Sequence, residues 1–143
     1  MTEDYLGKAA VVGREITAAI KAGEHDKAWR LLHEKQILYT KHALRWNFGR
    51  VDTLTILSGI HGGFAEILKR EGKHADALVH VLYMVASDRR QLKKHTNSLR
   101  IYFNRCKLKE TQLDELTAYS ETIWCNPDFQ AIQSKVSEWI RRG

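Results

Sequence analysis

Proline, cysteine and long apolar runs are all scarce in this chain of 143 residues. The single proline leaves little to interrupt helices, because proline is the residue that helix interiors tolerate least. No apolar run approaches the roughly 20 residues needed to span a bilayer. With 43% hydrophobic residues, the chain has enough apolar material for a folded core. We therefore expect one mostly helical domain over residues 1–143 and no membrane segment.

The chain has two cysteines, Cys106 and Cys125, which are too few for a disulfide framework. Residues 1–4 are acidic and are not followed by the apolar core of a secretory signal. Both features favour a reducing compartment, so we expect a cytoplasmic protein.

Catalytic signatures are also missing. The glycine-rich stretch 59–63 lacks the G-x-x-x-x-G-K-[ST] order that cradles phosphate, and no G-x-S-x-G elbow occurs. Cys106 or Cys125 could pair with a histidine as nucleophile and base, but Cys106 falls on an apolar stripe, as a buried thiol would. We expect no enzyme and no cofactor. An enzyme with its site beside His61 is kept as an alternative, which a buried His61 without a pocket would remove.

Seven histidines raise the question of a metal site. They include no pair at helical i, i+4 spacing, no H-E-x-x-H motif and no cysteine pair at short spacing. The sequence therefore predicts no metal site. The histidines are His25, His33, His42, His61, His74, His80 and His95.

Residues 59–88 carry the clearest pattern in the chain. Apolar residues recur at helical spacing on both sides of a turn at residues 71–73. Gly72 follows Lys69 and Arg70, which is typical of a helix end, where cations and a residue that accepts a left-handed backbone are both favoured. The pattern predicts two antiparallel helices joined by a tight turn.

The same turn occurs earlier in the chain. Residues 23–29 and 72–78 share the pattern G-x-H-x-x-A followed by an apolar residue. This pattern resembles the turn of a tetratricopeptide repeat, although His25 and His74 stand where that repeat has an aromatic residue, and the two turns are 49 residues apart rather than 34. The resemblance implies antiparallel helical hairpins in a short right-handed stack, with the first helix of each hairpin lining a concave groove. On the best-matched hairpin, the groove positions are Gly62, Glu66, Lys69 and Arg70.

The remaining apolar spacing completes an all-α fold of about seven helices, as three hairpins and a closing C-terminal helix. Thr2 is expected to cap the first helix and Thr111 the sixth. Asn126, Pro127 and Asp128 predict the start of the last helix, with the proline at its first position. The third helix, about 50–71, contains three glycines, and we expect Gly59 and Gly63 to allow a neighbouring helix to approach closely.

The positive charge is concentrated in one segment. Residues 73–109 carry a net charge of +7, whereas the whole chain carries +6. The predicted fifth helix, about 89–107, contains no acid. Four of its cations fall on one narrow stripe at 100° per residue, namely Arg89, Lys93, Arg100 and Lys107. The stripe could bind phosphates or an acidic partner. Alternatively, it is a solvated face or pairs with the acids of the next helix.

We interpret the chain as a non-enzymatic interaction module, an adaptor that binds a protein or peptide partner in the groove between hairpins. The alternative is a nucleic-acid-associated protein that uses the basic helix. Self-association is open under either interpretation, because a short stack leaves apolar ends that a second copy could cover. An exposed tryptophan would mark an interface.

Overall fold

Seven α-helices and the turns between them make up the computed structural model, which describes residues 3–88, 90 and 92–143, except for the side chain of Leu92. These residues form no strand, so the expected all-α fold is confirmed. Within them, no helix combines the length and the apolar composition that crossing a membrane demands. The helices are α1 (Tyr5–Lys21), α2 (His25–Arg45), α3 (Arg50–Arg70), α4 (His74–Ser87), α5 (Leu92–Cys106), α6 (Leu113–Thr122) and α7 (Phe129–Arg142).

The two recurring turns have the same backbone structure. Gly23 and Gly72 both adopt left-handed φ angles, of 76° and 77°. After each glycine, the next amide bonds back to a carbonyl of the preceding helix, from Glu24 to Ala19 and from Lys73 to Leu68, at 2.8 Å in each case. These bonds define the Schellman motif, which satisfies carbonyls that a helix end leaves free. The repeated sequence pattern therefore corresponds to a repeated turn, and α1–α2 and α3–α4 are helical hairpins.

Helix α4 lies at the centre of the fold. Nine of its 14 residues are buried, and it packs against α3, α5, α6 and α7. Because apolar residues occupy most of its circumference, it needs neighbours on nearly every side. Its main core includes Leu82, Leu99, Leu116 and Trp139. A second core joins the first three helices, and Trp29 contacts both cores.

The closing helix α7 packs on α4 through its fully buried Trp139. The indole Nε1 donates a 2.9 Å hydrogen bond to Glu115 on α6, which satisfies a polar group that would otherwise be costly to bury. Arg142 donates to the same carboxylate at 2.7 Å, and the two contacts attach the C-terminal helix to α6.

Helix caps differ from the expected ones. Thr2 lies outside the described residues, and Asp4 caps α1 by accepting from the Gly7 amide. Thr111 does not cap α6, because its hydroxyl is buried without a partner and Gln112 occupies the cap position. Asp128, rather than Asn126, caps α7 by accepting from the amide of residue 131. Consequently the proline precedes α7 instead of forming its first residue.

The fifth helix is shorter than expected, since it ends at Cys106 and the next residue, Lys107, has a left-handed φ of 53°. The handedness of the stack and its resemblance to tetratricopeptide repeats stay predictions.

The glycines of α3 divide into two kinds. A Cβ added at Gly63 would lie 2.6 Å from Cδ2 of Leu32, a buried residue of α2, so the absent side chain permits close packing there as expected. A Cβ added at Gly59 would have no such neighbour within 4 Å. The expectation of close approach was therefore wrong for Gly59.

These two glycines form a matched pair for measuring the packing constraint. We predict that Gly59→Ala stabilises the protein by about 0.5–1 kcal/mol, because alanine is the better helix former. Gly63→Ala should instead destabilise it by about 1–2 kcal/mol, because Leu32 has little room to move in a packed core. Urea unfolding monitored by circular dichroism measures both changes. Equal effects of the two substitutions would contradict the assigned role of Gly63.

Candidate functional site

Three of the four predicted groove residues form one charged cluster on α3. Glu66 pairs with Lys69 and with Arg70, at 2.9 Å in each case. The cluster faces Tyr102 of α5, whose ring lies 5.5 Å from Nζ of Lys69. Burial, together with the nearby Glu66 carboxylate, raises the pKa of Tyr102 to about 12, so its hydroxyl stays protonated. The cluster therefore lies on the side of α3 that faces Tyr102.

Gly62, the fourth predicted groove residue, lies farther along the same space. A Cβ there would be 3.1 Å from the sulfur of Met84 on α4, so the absence of a side chain lets α4 pack closely. It also leaves a hollow beside Gly62. This hollow is a cavity of about 390 Å³ between α3, α4 and α5. Its lining consists of Ser58, Gly59, Gly62, Val81, Met84, Asp88, Lys94, His95, Ser98 and Tyr102. We call the cavity and the adjoining cluster of Glu66, Lys69 and Arg70 the α3–α5 groove.

Cations exceed acids on the exposed part of this groove. Helix α5 turns Lys94, Ser98, Tyr102 and Arg105 toward it, at one-turn intervals. The positive charge of Arg105 lowers the pKa of the Tyr102 phenol slightly, against the larger effect of burial, so the guanidinium lies on the side of α5 near Tyr102. Within the described part of the chain, neither Lys94 nor Arg105 forms an ion pair. The groove therefore presents uncompensated positive charge.

The predicted basic stripe is only partly described. Arg89 lies outside the described residues. Lys93 and Arg100 are exposed on the outer face of α5, away from the groove, and Arg100 donates to Asn97 at 2.9 Å. Lys107 is exposed but follows the end of the helix, so its left-handed backbone takes it off the helical stripe.

Pairing of the basic helix with the acids of α6 was the simplest alternative explanation of its charge. Glu115 of α6 instead binds Arg142 and Trp139, both from α7. Over residues 92–106, no lysine or arginine side chain is paired with a carboxylate. The charge on α5 therefore remains available to a partner.

Two histidines that are 19 residues apart in the sequence meet in the structure. Nδ1 of His61 lies 3.0 Å from Nδ1 of His80, with their rings stacked at a centroid distance of 5.3 Å. Burial lowers the pKa of both to about 4, and a neighbouring histidine disfavours the charged form of each ring further. At neutral pH both rings are uncharged, so one Nδ1 donates to the other.

The histidine pair lines a cleft of about 540 Å³ between α2, α3, α4 and α7, with Trp29, His33 and Phe129 also in its wall. Sequence reasoning missed this cluster. The nearest signal was the single His61 in the glycine-rich stretch, and nothing in the spacing linked it to His80.

A buried His61 with no pocket beside it would have removed the enzyme alternative. His61 instead lines this cleft, so the enzyme alternative stays open. Cys106 gives it no support, since burial raises the pKa of the thiol to about 11 and Sγ contacts the carbonyl of His74 at 3.5 Å. Among the described residues, no three metal-ligating side chains are arranged to hold an ion.

Exposed apolar side chains gather around the loop between α2 and α3. Leu44, Trp46 and Val51 are 76%, 63% and 55% exposed. Trp46 is thus the best candidate for the interface tryptophan expected from the sequence, whereas Trp139 belongs to the core. Self-association through this surface stays a prediction.

Comparison with protein-family models, with curated proteins and with solved structures finds no significant match.

The histidine pair makes stability depend on pH. The pKa of each ring rises from about 4 in the folded protein to about 6.5 on unfolding, so the unfolded chain binds more protons between these values. Stability should be complete above pH 6.5 and should fall, by up to about 1.4 kcal/mol per histidine for each pH unit, as the pH drops toward 4. Urea unfolding at a series of pH values measures this dependence.

A double variant that replaces His61 and His80 by asparagine provides the control, because asparagine side chains can hydrogen-bond to each other but do not titrate in this range. We expect a markedly flatter profile between pH 6.5 and 4. An unchanged slope in the variant would show that other groups cause the acid sensitivity.

Proposed function

We propose that the protein is a non-enzymatic interaction module that binds an acidic segment of a partner protein in the α3–α5 groove. The observation that carries this proposal is the charge balance of the groove. Lys94 lines the cavity, and Lys69, Arg70 and Arg105 lie around Tyr102 beside it. Among the described residues, the nearby Glu66 is already paired with Lys69 and Arg70, and the Asp88 carboxylate in the cavity wall is buried.

The shape of the groove supports the same partner. Two helices form its walls and α4 forms its floor, while Gly59 and Gly62 keep side chains out of its upper end. An extended or helical segment lying along such a groove can bring successive carboxylates to cations spaced one turn apart on α5. Complementary charge of this kind contributes mainly to specificity and to the rate of association.

We propose that the protein is located in the cytoplasm. Cys106 and Cys125 are both free thiols, as expected in a reducing compartment. Because the proposed role is to bind a partner and not to catalyse a reaction, we propose that the protein acts as an adaptor. The partner is defined by its acidic character.

Charge reversal on the groove face tests the proposal. A fluorescein-labelled oligoglutamate peptide serves as the probe, and fluorescence anisotropy measures its Kd. We predict that Lys94→Glu combined with Arg105→Glu weakens binding roughly tenfold or more, because two attractive charges become repulsive. Both side chains are exposed, so the fold should persist, which circular dichroism verifies.

The matched control reverses two exposed cations on the first hairpin, Arg14→Glu combined with Lys27→Glu, and produces the same change in net charge. This variant should bind the peptide within about threefold of the unmodified protein, since charges farther apart than the Debye length are largely screened. Equal losses in the two variants would refute a specific groove, as would equal affinity for an uncharged peptide of the same length.

Nucleic-acid binding through the outer face of α5 is the second candidate. The specific observation in its favour is that Lys93 and Arg100 are exposed there, without a carboxylate partner, on a helix that contains no acid. Asn97 and Asn104 fall on the same outward side and add hydrogen-bonding groups. Such a face suits the phosphate backbone, which is bound largely without regard to sequence.

The two candidates use different sides of one helix and can be separated by mutation. If nucleic acid is the partner, Lys93→Glu with Arg100→Glu should abolish retention of a single-stranded oligonucleotide in a filter-binding assay. The groove variant, Lys94→Glu with Arg105→Glu, should weaken retention less. Affinity should also fall steeply with salt. Retention that is insensitive to salt or to the outer-face substitutions would eliminate this candidate.

A further inference from the structure

The side chain of His95 is about 95% buried. Neither of its ring nitrogens hydrogen-bonds to any residue that the structure describes. Buried polar groups are nearly always hydrogen-bonded, so the arrangement calls for a partner that the described residues do not supply.

Asp88 is a second buried polar residue, and its carboxylate lies beside this ring. Its carboxylate is also more than nine-tenths buried, and Oδ2 lies 3.8 Å from Nε2 of His95, too far for a hydrogen bond. Oδ1 is engaged by the amide of Arg90 at 3.0 Å, and the largely exposed Arg90 guanidinium lies 3.6 Å away. Within the described part of the chain, Oδ2 faces the His95 ring at this longer distance.

Both groups line the cavity of the α3–α5 groove. Lys94 and Ser98, the other polar side chains that α5 contributes beside Tyr102, lie in the same wall. Gly59 adds no side chain, and a Cβ at this position would meet nothing within 4 Å. With a volume of about 390 Å³, the cavity falls at the small end of the range of about 300–1,000 Å³ for small-molecule sites.

The cavity thus has an acceptor region and a donor region. Asp88 supplies a buried negative charge, and burial lowers the pKa of His95, which leaves a neutral ring with one nitrogen free to accept. Lys94 supplies a positive charge and Ser98 a hydroxyl. The opposite charges of Asp88 and Lys94 favour a ligand that is itself dipolar.

We propose that this cavity binds a free α-amino acid, with the ligand ammonium between Asp88 and His95 and the ligand carboxylate at Lys94 and Ser98. The ammonium can donate to Oδ2 and to the accepting nitrogen of the ring, and the carboxylate can pair with the lysine. This site does not depend on binding of an acidic segment, although the two ligands share the groove.

Thermal shift and titration calorimetry of the full chain test the proposal without any peptide. The probes are the twenty L-amino acids, each compared with its N-acetyl derivative, which lacks the ammonium, and its amide, which lacks the carboxylate. We expect at least one free amino acid to raise the Tm, and both derivatives of that amino acid to have little effect. No shift with any amino acid would mean that water alone fills the cavity, and it would overturn the proposal.

The variants Asp88→Asn and Lys94→Gln identify the site of binding. Each should weaken binding of the active amino acid at least tenfold, while Lys93→Gln, on the outer face of the same helix, should leave it unchanged. Lys94 and Lys93 are both exposed, so the lysine comparison holds even if the Asp88 variant fails to fold. Retention of full affinity in Lys94→Gln would overturn the assignment.

Discussion

The burial of α4 is the constraint on which the rest of the structure depends. A 14-residue helix with nine buried positions cannot lie on a surface, so four other helices pack around it. Hydrophobic burial contributes roughly 25 cal/mol for each Å² of apolar surface, so the buried residues of this central helix contribute substantially to stability. The helices that surround α4 leave gaps between them, and those gaps are the places where a ligand can enter.

Two of these gaps open from different faces of α4 and have different chemistry. Val81, Met84 and Asp88 look into the α3–α5 groove, whereas Asp76, Val79 and His80 look into the cleft beside α7. The groove combines charge with two buried polar side chains, Asp88 and His95, and the described residues leave the His95 ring without a hydrogen bond. The cleft is aromatic, and its histidines bond to each other and are neutral. Because unmet polar groups and unpaired charge call for a partner, we place function in the groove and assign the histidine pair a mainly structural role.

Local features of the fold could be predicted from the sequence. The pattern shared by residues 23–29 and 72–78 correctly indicated two equivalent turns, because left-handed glycine and the residues around it determine a Schellman motif locally. The apolar spacing likewise located all seven helices. The caps at Thr111 and Asn126 were misplaced, since several neighbouring polar residues can cap a helix and tertiary packing decides among them.

Contacts between distant segments could not be predicted in this way. Nothing in the spacing placed His61 beside His80, or left His95 without a hydrogen bond to the described residues, because each outcome depends on how α4 packs against its neighbours. The groove residues Gly62, Glu66, Lys69 and Arg70 were chosen through a resemblance; Gly62 lines the cavity, and the other three form the ion-paired cluster beside it. Their partners on α5, Lys94 and Arg105, were not distinguished in sequence from the outer-face cations Lys93 and Arg100. That distinction requires knowing which side of α5 faces α3.

Lysine footprinting tests the central claim most directly. The protein is acetylated briefly with and without the oligoglutamate peptide, and modification at each lysine is quantified by mass spectrometry. If the acidic segment lies in the α3–α5 groove, Lys94 and Lys69 become protected, while Lys93, the immediate neighbour of Lys94, reacts at its original rate. Protection of Lys93 with continued reaction of Lys94 would place the partner on the outer face of α5 and contradict the account.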